Sequence, residues 1–309
     1  MKTRIKTIIG FLTLILVAVG LAGLWAASQQ EVQLPGDVEL IRNVEYGTGG
    51  GRPLKLDIVR PKKQPNKLMP VVAFIHGGGW KSGIKESGIP LLIGLAQHGY
   101  FCVTVEYRLT PEAPFPAQIE DCKCAVRWLR AHANEYNLDP KRIGVWGPSA
   151  GGHLVALLGT AADMKKFEGR GGWEKQSSRV QAVCDYFGPA DLPKLFRDAL
   201  ALRNEGQLAD VTKDNPLYLL AGGPIKEKIE VLRKASPIIY VTKDDAPFLI
   251  VHGDKDPLVP LNQSEILNAA LKKAGVDSTL VVVKDAGHGW RDHPEVQETV
   301  LNFFNSHLK

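Results

Sequence analysis

Cysteine is scarce, with four in 309 residues, and Cys102, Cys122, Cys124 and Cys184 all lie inside apolar segments. So few exclude a disulfide framework, and free buried thiols are expected instead. Cys122 and Cys124 stand two apart in a helical pattern, about 200° apart around the axis, so they can neither pair nor share one metal. Charge runs of one sign are also missing. The net charge is +5, and Lys2, Arg4 and Lys6 at the very start account for three of those charges. What remains is no nucleic-acid footprint. There is no internal repeat and no metal or nucleotide motif, so no cofactor and no metal are expected. Gly49 to Gly51 lack the Lys-Ser/Thr of a phosphate loop, and a strand rather than a helix follows them.

One long hydrophobic run is present, from about Ile8 to Ala27, preceded by the three basic residues and closed by the small residues Ala26, Ala27 and Ser28. Residues 1–28 read as an export signal. The run is also just long enough to cross a bilayer, so the alternative is an uncleaved N-terminal membrane anchor. LAGL lacks the cysteine of a lipoprotein box, since Leu24 holds its place. The expected location is therefore periplasmic or secreted, or membrane-anchored if the leader is retained.

Residues 36–309 read as one domain. VEYGTGGGRPLKLDIVRP gives two strand-like runs joined by glycines, as in an antiparallel hairpin. From residue 70, short continuous apolar runs (VVAFIH, YFCVTVEY, RIGVWG, VQAVCDYFG, PFLIVHG, TLVVVKD) alternate with helix-like stretches. That alternation signals a mostly parallel, doubly wound sheet covered on both faces, an α/β class. In FPAQIEDCKCAVRWLRAHA, Ile119, Cys122, Val126, Leu129 and Ala133 recur at helical spacing, and Pro294 opens a last helix. The segment from about 192 to 245 breaks the alternation with helical pieces and no good strand. A long excursion of this kind reads as a small helical lid.

Two compact glycine groups carry the chemistry. GPSAGGH places Ser149 between the strand RIGVWG and the helix-like HLVALLGTAA, at a corner that the flanking glycines let the backbone turn sharply. There the hydroxyl projects from the sheet and the first helical N–H groups point at the same spot, which makes Ala150 an oxyanion donor. HGGGW follows the strand VVAFI, where a loop without side chains can bring further N–H groups to a reacting carbonyl; Gly78 and Gly79 are the expected donors.

The serine needs a base. His98 and His132 precede it, His76 and His252 end strands in structural positions, and His153 lies one helical turn beyond, where it would fix the corner. His307 belongs to the terminal helix and His293 to its start. His288 remains, in DAGHGW after the strand TLVVVK, with glycine on both sides to let a loop aim the ring. VHGDKDPLVP offers the acid, Asp256 beside Pro257, with Asp254 in reserve. Such a carboxylate holds one imidazole tautomer and stabilises the cation formed when the serine gives up its proton. Trp80 and Trp290 flank the oxyanion loop and the base, where flat sugar or aromatic faces could stack.

With these stretches in hand, the sequence resembles α/β-hydrolase esterases of the hormone-sensitive lipase type, and more closely the bacterial bifunctional acetylxylan and feruloyl esterases. LKLDIVRP, HGGGW, EYRLTPEAPFPAQIEDC, GVWGPSAGGH, YFGPADL, HGDKDPLVP and DAGHGW carry the resemblance. It implies the α/β-hydrolase fold, a serine esterase acting through Ser149, His288 and Asp256 with Gly78 and Gly79 as oxyanion donors, and a structural Tyr107-Arg108 pair. It implies small-molecule or oligosaccharide esters with short acyl or feruloyl groups as substrates, and no cofactor. Exopeptidases and arylformamidases use similar apparatus, and a hydrolase fold serving only as a binding module is the rival outside catalysis.

Overall fold

Glycine sets the turn of the N-terminal hairpin. Gly50 and Gly51 take φ of 60° and 80°, the left-handed pair that a two-residue hairpin demands. β1 (Val38–Gly49) and β2 (Arg52–Pro61) therefore pair antiparallel, with Gly49 opposite Arg52. The computed structural model describes residues 33–201, 213–290 and 293–309; the leader, residues 1–28, lies outside them. Among the described residues no helix is long and apolar enough to cross a membrane.

The six apolar runs are the remaining strands: β3 (Met69–Ile75), β4 (Phe101–Val105), β5 (Leu138–Pro148), β6 (Ala182–Tyr186), β7 (Phe248–Gly253) and β8 (Ser278–Val283). Every residue of β3, β4, β6 and β7 is buried, which is why their sequences show no polar alternation. The sheet order is β1-β2-β4-β3-β5-β6-β7-β8. β2 joins β4 antiparallel, and from β4 onward all pairs are parallel. The chain winds outward from β3 in one direction through β4 and in the other through β5. Their carboxyl ends thus part at a topological switch point, where open α/β sheets leave a crevice.

The covering helices are α1 (Ile89–Gln97), α2 (Ala117–Ala131), α3 (Ala133–Tyr136), α4 (Ala150–Thr160), α5 (Leu192–Ala201), α6 (Pro216–Ala221), α7 (Ile229–Ala235), α8 (Asn262–Ala274) and α9 (Pro294–Leu308). α9 starts at its proline and buries Val296, Val300, Phe304 and Leu308 at four-residue spacing. α2 is buried on more than the one expected face. Lys123 and Arg127 lie inside as well, because Glu168 accepts from Lys123 Nζ at 2.8 Å and from Arg127 Nη1 at 2.6 Å. The 192–245 segment holds α5, α6, α7 and a 3₁₀ turn at Pro237–Tyr240, with no strand among its described residues; its residues 202–212 lie outside the description. All four cysteines are free and buried, as their scarcity implied.

Candidate functional site

The corner after β5 is strained, and the neighbouring chain makes it so. Ser149 has φ 55° and ψ −119°, a conformation that non-glycine residues adopt only under local constraint. Its N–H donates to Tyr186 O at 2.8 Å, and its carbonyl accepts from His153 N at 2.9 Å to start α4. The corner also presses against β3: a Cβ on Gly151 would stand 2.0 Å from Ile75 O, so only glycine fits this approach.

The strained turn points the hydroxyl at His288. Ser149 Oγ–H donates to His288 Nε2 at 2.9 Å, and His288 Nδ1–H donates to Asp256 Oδ2 at 2.7 Å. Asp256 Oδ1 accepts the backbone N–H groups of Leu258 at 2.8 Å and Val259 at 2.9 Å. Burial alone would raise the Asp256 carboxyl. Hydrogen bonds from His252, His288 and the two backbone N–H groups outweigh it and hold the group well below the usual carboxylate range. The fold thus brings together the three residues that the sequence singled out. Asp254, the reserve acid, is exposed, and its N–H donates to Val283 O at 3.1 Å.

The oxyanion loop is built on Gly78, whose φ is 112°. Its carbonyl accepts from Ser82 N at 3.1 Å and Ser82 Oγ at 2.9 Å. Among the described residues, the N–H groups of Gly78 and Gly79 have no backbone carbonyl partner, and Ala150, first in α4, has none within its helix. All three residues line the cavity that holds Ser149 and His288. Tyr107 steadies the loop from below: its hydroxyl donates to His76 O at 3.0 Å, and its ring stacks on His76 at 4.3 Å. Arg108 forks onto Asp121 at 2.7 to 3.0 Å. The Tyr107-Arg108 pair is structural, as the resemblance implied.

Trp80 and Trp290 stand at different cavities. Trp80 is 4% exposed; it lines the cavity wall, but its Nε1–H is committed to His153 Nδ1 at 3.1 Å. His153 in turn donates from Nε2 to Ala235 O at 2.7 Å, which ties the oxyanion loop to α4 and α7. Burial lowers the His153 imidazole to about 4, so it stays neutral. Trp290 lies on the far side of Phe187, edge-on at 5.3 Å, and lines a separate cavity of about 570 Å³. Phe187 itself, with φ 43° and its ring 4.6 Å from His288, is the aromatic beside the base. It sits in YFGPADL, a stretch that carried the resemblance without being read for a side-chain role.

The cavity over Ser149 measures about 690 Å³. Leu195, Phe196, Asn215, Pro216 and Leu217 reach it from the 192–245 segment, Pro189 from the loop after β6, and Leu258 and Val259 from the acid loop. The polar string KLFRDALALRNEGQLADVTKDN therefore hides an apolar contribution, because α5 turns Leu195 and Phe196 inward. Among the described residues no cluster of His, Cys, Asp and Glu could hold a metal ion.

Fold and trio together define an α/β-hydrolase with a serine–histidine–aspartate arrangement at the crevice of its sheet. The chain belongs to the BD-FAE family, which it matches over residues 56–271. Esterase LipQ of Mycobacterium tuberculosis is 33% identical over 235 residues, covering 75% of this chain and 53% of that protein. The chain spans about half the length of the curated relatives it matches. A truncated carbohydrate esterase from gut microbiota superposes with a TM-score of 0.76 at 29% identity, over 89% of this chain and 99% of that one. A bifunctional GH43-CE protein of Bacteroides eggerthii does so with a TM-score of 0.75 at 30% identity, over 86% and 38%.

Proposed function

We propose that this protein hydrolyses carboxylic esters through an acyl-enzyme. The observation that carries the reading is the unbroken chain Ser149 Oγ–His288–Asp256, at 2.9 and 2.7 Å, with its serine and histidine in one cavity with Gly78, Gly79 and Ala150. Ser149 Oγ attacks the ester carbonyl while His288 Nε2 takes its proton, and Asp256 stabilises the resulting imidazolium. The carbonyl oxygen becomes an oxyanion held by the N–H groups of Gly78, Gly79 and Ala150. The tetrahedral intermediate collapses, and His288 returns the proton to the leaving alkoxide. Water, deprotonated by the same imidazole, then cleaves the acyl-serine and frees the hydroxyl.

The substrate side is read more finely as short acyl or feruloyl esters of carbohydrates. Two likenesses support it: the gut carbohydrate esterase and the GH43-CE protein both superpose over most of this chain. The apolar lining around Leu195, Phe196 and Leu217 suits an acyl group, and about 690 Å³ is ample for a short chain or one aromatic ring. The leader of residues 1–28 supports an exported or membrane-anchored enzyme, which would meet such polymers outside the cell. An acyl series tests this. p-Nitrophenyl acetate and butyrate should be cleaved far better than the palmitate ester, and acetylated or feruloylated xylo-oligosaccharides should release acid. Ser149→Ala should abolish all of it. An optimum at long chains with activation at an oil interface would overturn the substrate reading, and activity retained in Ser149→Ala would overturn the mechanism.

A further inference from the structure

His252 is the next-to-last residue of β7, four residues before Asp256; it is fully buried and, among the described residues, makes three polar contacts around the acid. Its Nε2 lies 2.8 Å from Val259 O and 3.3 Å from Asp256 Oδ2. A carbonyl and a carboxylate both accept, so the hydrogen is assigned to Nε2, which shares it between them. Nδ1 then accepts, and Ser264 Oγ–H donates to it at 2.6 Å from the first turn of α8. Ser264 is fully buried as well, so this contact admits no competing water.

We propose that His252 is a positioning residue for ester hydrolysis, its Nε2–H and the Ser264 hydroxyl together locking the Asp256 carboxylate against His288. The proposal rests on the esterase reading above. Among the described residues three other donors reach Asp256, and each leaves a task for His252. The Leu258 and Val259 N–H groups belong to the same loop as Asp256 and move with it. His288 is the group that must be aimed. Among the described residues His252 alone fastens the carboxylate to the sheet, from a strand buried on both faces, and through Val259 O it holds the loop itself. The same Oδ2 receives both imidazoles, so the two rings grip one oxygen from opposite sides of the mechanism: one fixed, one reacting.

The surroundings leave little else to play this part. The charged and titratable groups that face the ring are Asp256 and, from β6, the buried Asp185; the Phe187 ring stands 6.2 Å away. Asp185 donates nothing to the acid loop. Its Oδ1 accepts from Gly188 N at 2.8 Å.

Replacing the ring by an apolar side chain of similar bulk removes the anchor. Because small misplacements at a reacting centre are costly, His252→Leu should lower kcat on p-nitrophenyl acetate by roughly 10- to 100-fold while leaving KM within about twofold. The pH profile carries the sharper readout. With one donor gone, the charge on Asp256 is held less by its surroundings and stabilises the His288 cation more, so the acid limb of kcat/KM should move upward by roughly half a unit. His252→Gln, which keeps an N–H at the same reach, should recover most of kcat and return the limb. Ser264→Ala, milder and kept for the case that His252→Leu does not fold, should shift both quantities in the same direction by a smaller amount. Wild-type kcat with an unmoved limb in the variant that folds would overturn the proposal, as would a loss that His252→Gln does not repair. Ser149→Ala separates the two levels: activity retained there sinks the esterase reading and this one with it. An inactive Ser149→Ala beside an unaffected His252→Leu sinks the positioning role alone.

Discussion

Acidification should weaken the fold through His153, which never touches substrate. Its imidazole is fully buried between Trp80 Nε1 and Ala235 O and lowered to about 4, whereas an unfolded histidine titrates near 6.5. A base whose folded pKa is depressed contributes stability that is whole above the unfolded value and is lost as pH falls toward the folded one. At about pH 7.5 neither state binds the proton; at about pH 5 the unfolded chain binds it and the folded chain does not. The loss between them is about 2 kcal/mol, approaching about 3 kcal/mol below pH 4. Asp185 works against it. Burial raises its carboxyl to about 7, so its contribution is present at low pH and is lost as pH rises from about 4 through 7. The two terms are comparable and opposite, and the total slope of the wild type is not diagnostic. Comparison with His153→Gln isolates one of them, because the amide retains a donor and an acceptor but does not titrate. Urea unfolding followed by tryptophan fluorescence at the two pH values should show the wild type losing about 2 kcal/mol more than the variant. Equal changes in the two proteins would refute a neutral, buried His153.

Two further outcomes bear on the site itself. Asp256→Asn should cut kcat on p-nitrophenyl acetate by roughly 10⁴-fold, since it disrupts the tautomer and cation support of His288, while Asp254→Asn, at an exposed turn position, should stay within about twofold; the reverse pattern would reassign the acid. Gly78→Ala should lose roughly 10²-fold or more in kcat and melt earlier, because its Cβ would stand 2.1 Å from Ser82 O at a φ of 112°; full activity would remove the loop from the mechanism.

Much of this architecture was legible along the chain, because the signals are local. β3, β4, β6 and β7 announce themselves as continuous apolar runs, since a strand covered on both faces has no polar side to display. GPSAGGH and HGGGW likewise wear their geometry openly: a sharp corner and a side-chain-free loop both require glycine where the sequence places it. Position along the chain and local context then narrowed eight histidines to His288, on a loop with glycine on both sides. Harder to read were groups whose meaning depends on what lies across the fold. Lys123 and Arg127 look like the solvent side of α2 until Glu168 is brought against them.

By itself, then, the sequence determined the sheet class, the hairpin, the strained serine and the residues that could serve it, because backbone preference and hydrophobic period act over a few neighbouring residues. Only the tertiary structure decided the relations between distant ones. It set Asp256 rather than Asp254 beneath His288. It placed Trp290 behind Phe187, in a different cavity from Ser149, and spent the Trp80 N–H on His153. It turned Leu195 and Phe196 of a polar-looking segment toward the serine, and it joined His252 to Ser264 around the acid. The reason is physical: a side chain's neighbours come from packing between segments tens to more than a hundred residues apart, such as the 139 that separate Ser149 from His288, and no local pattern records which of two nearby groups that packing will select.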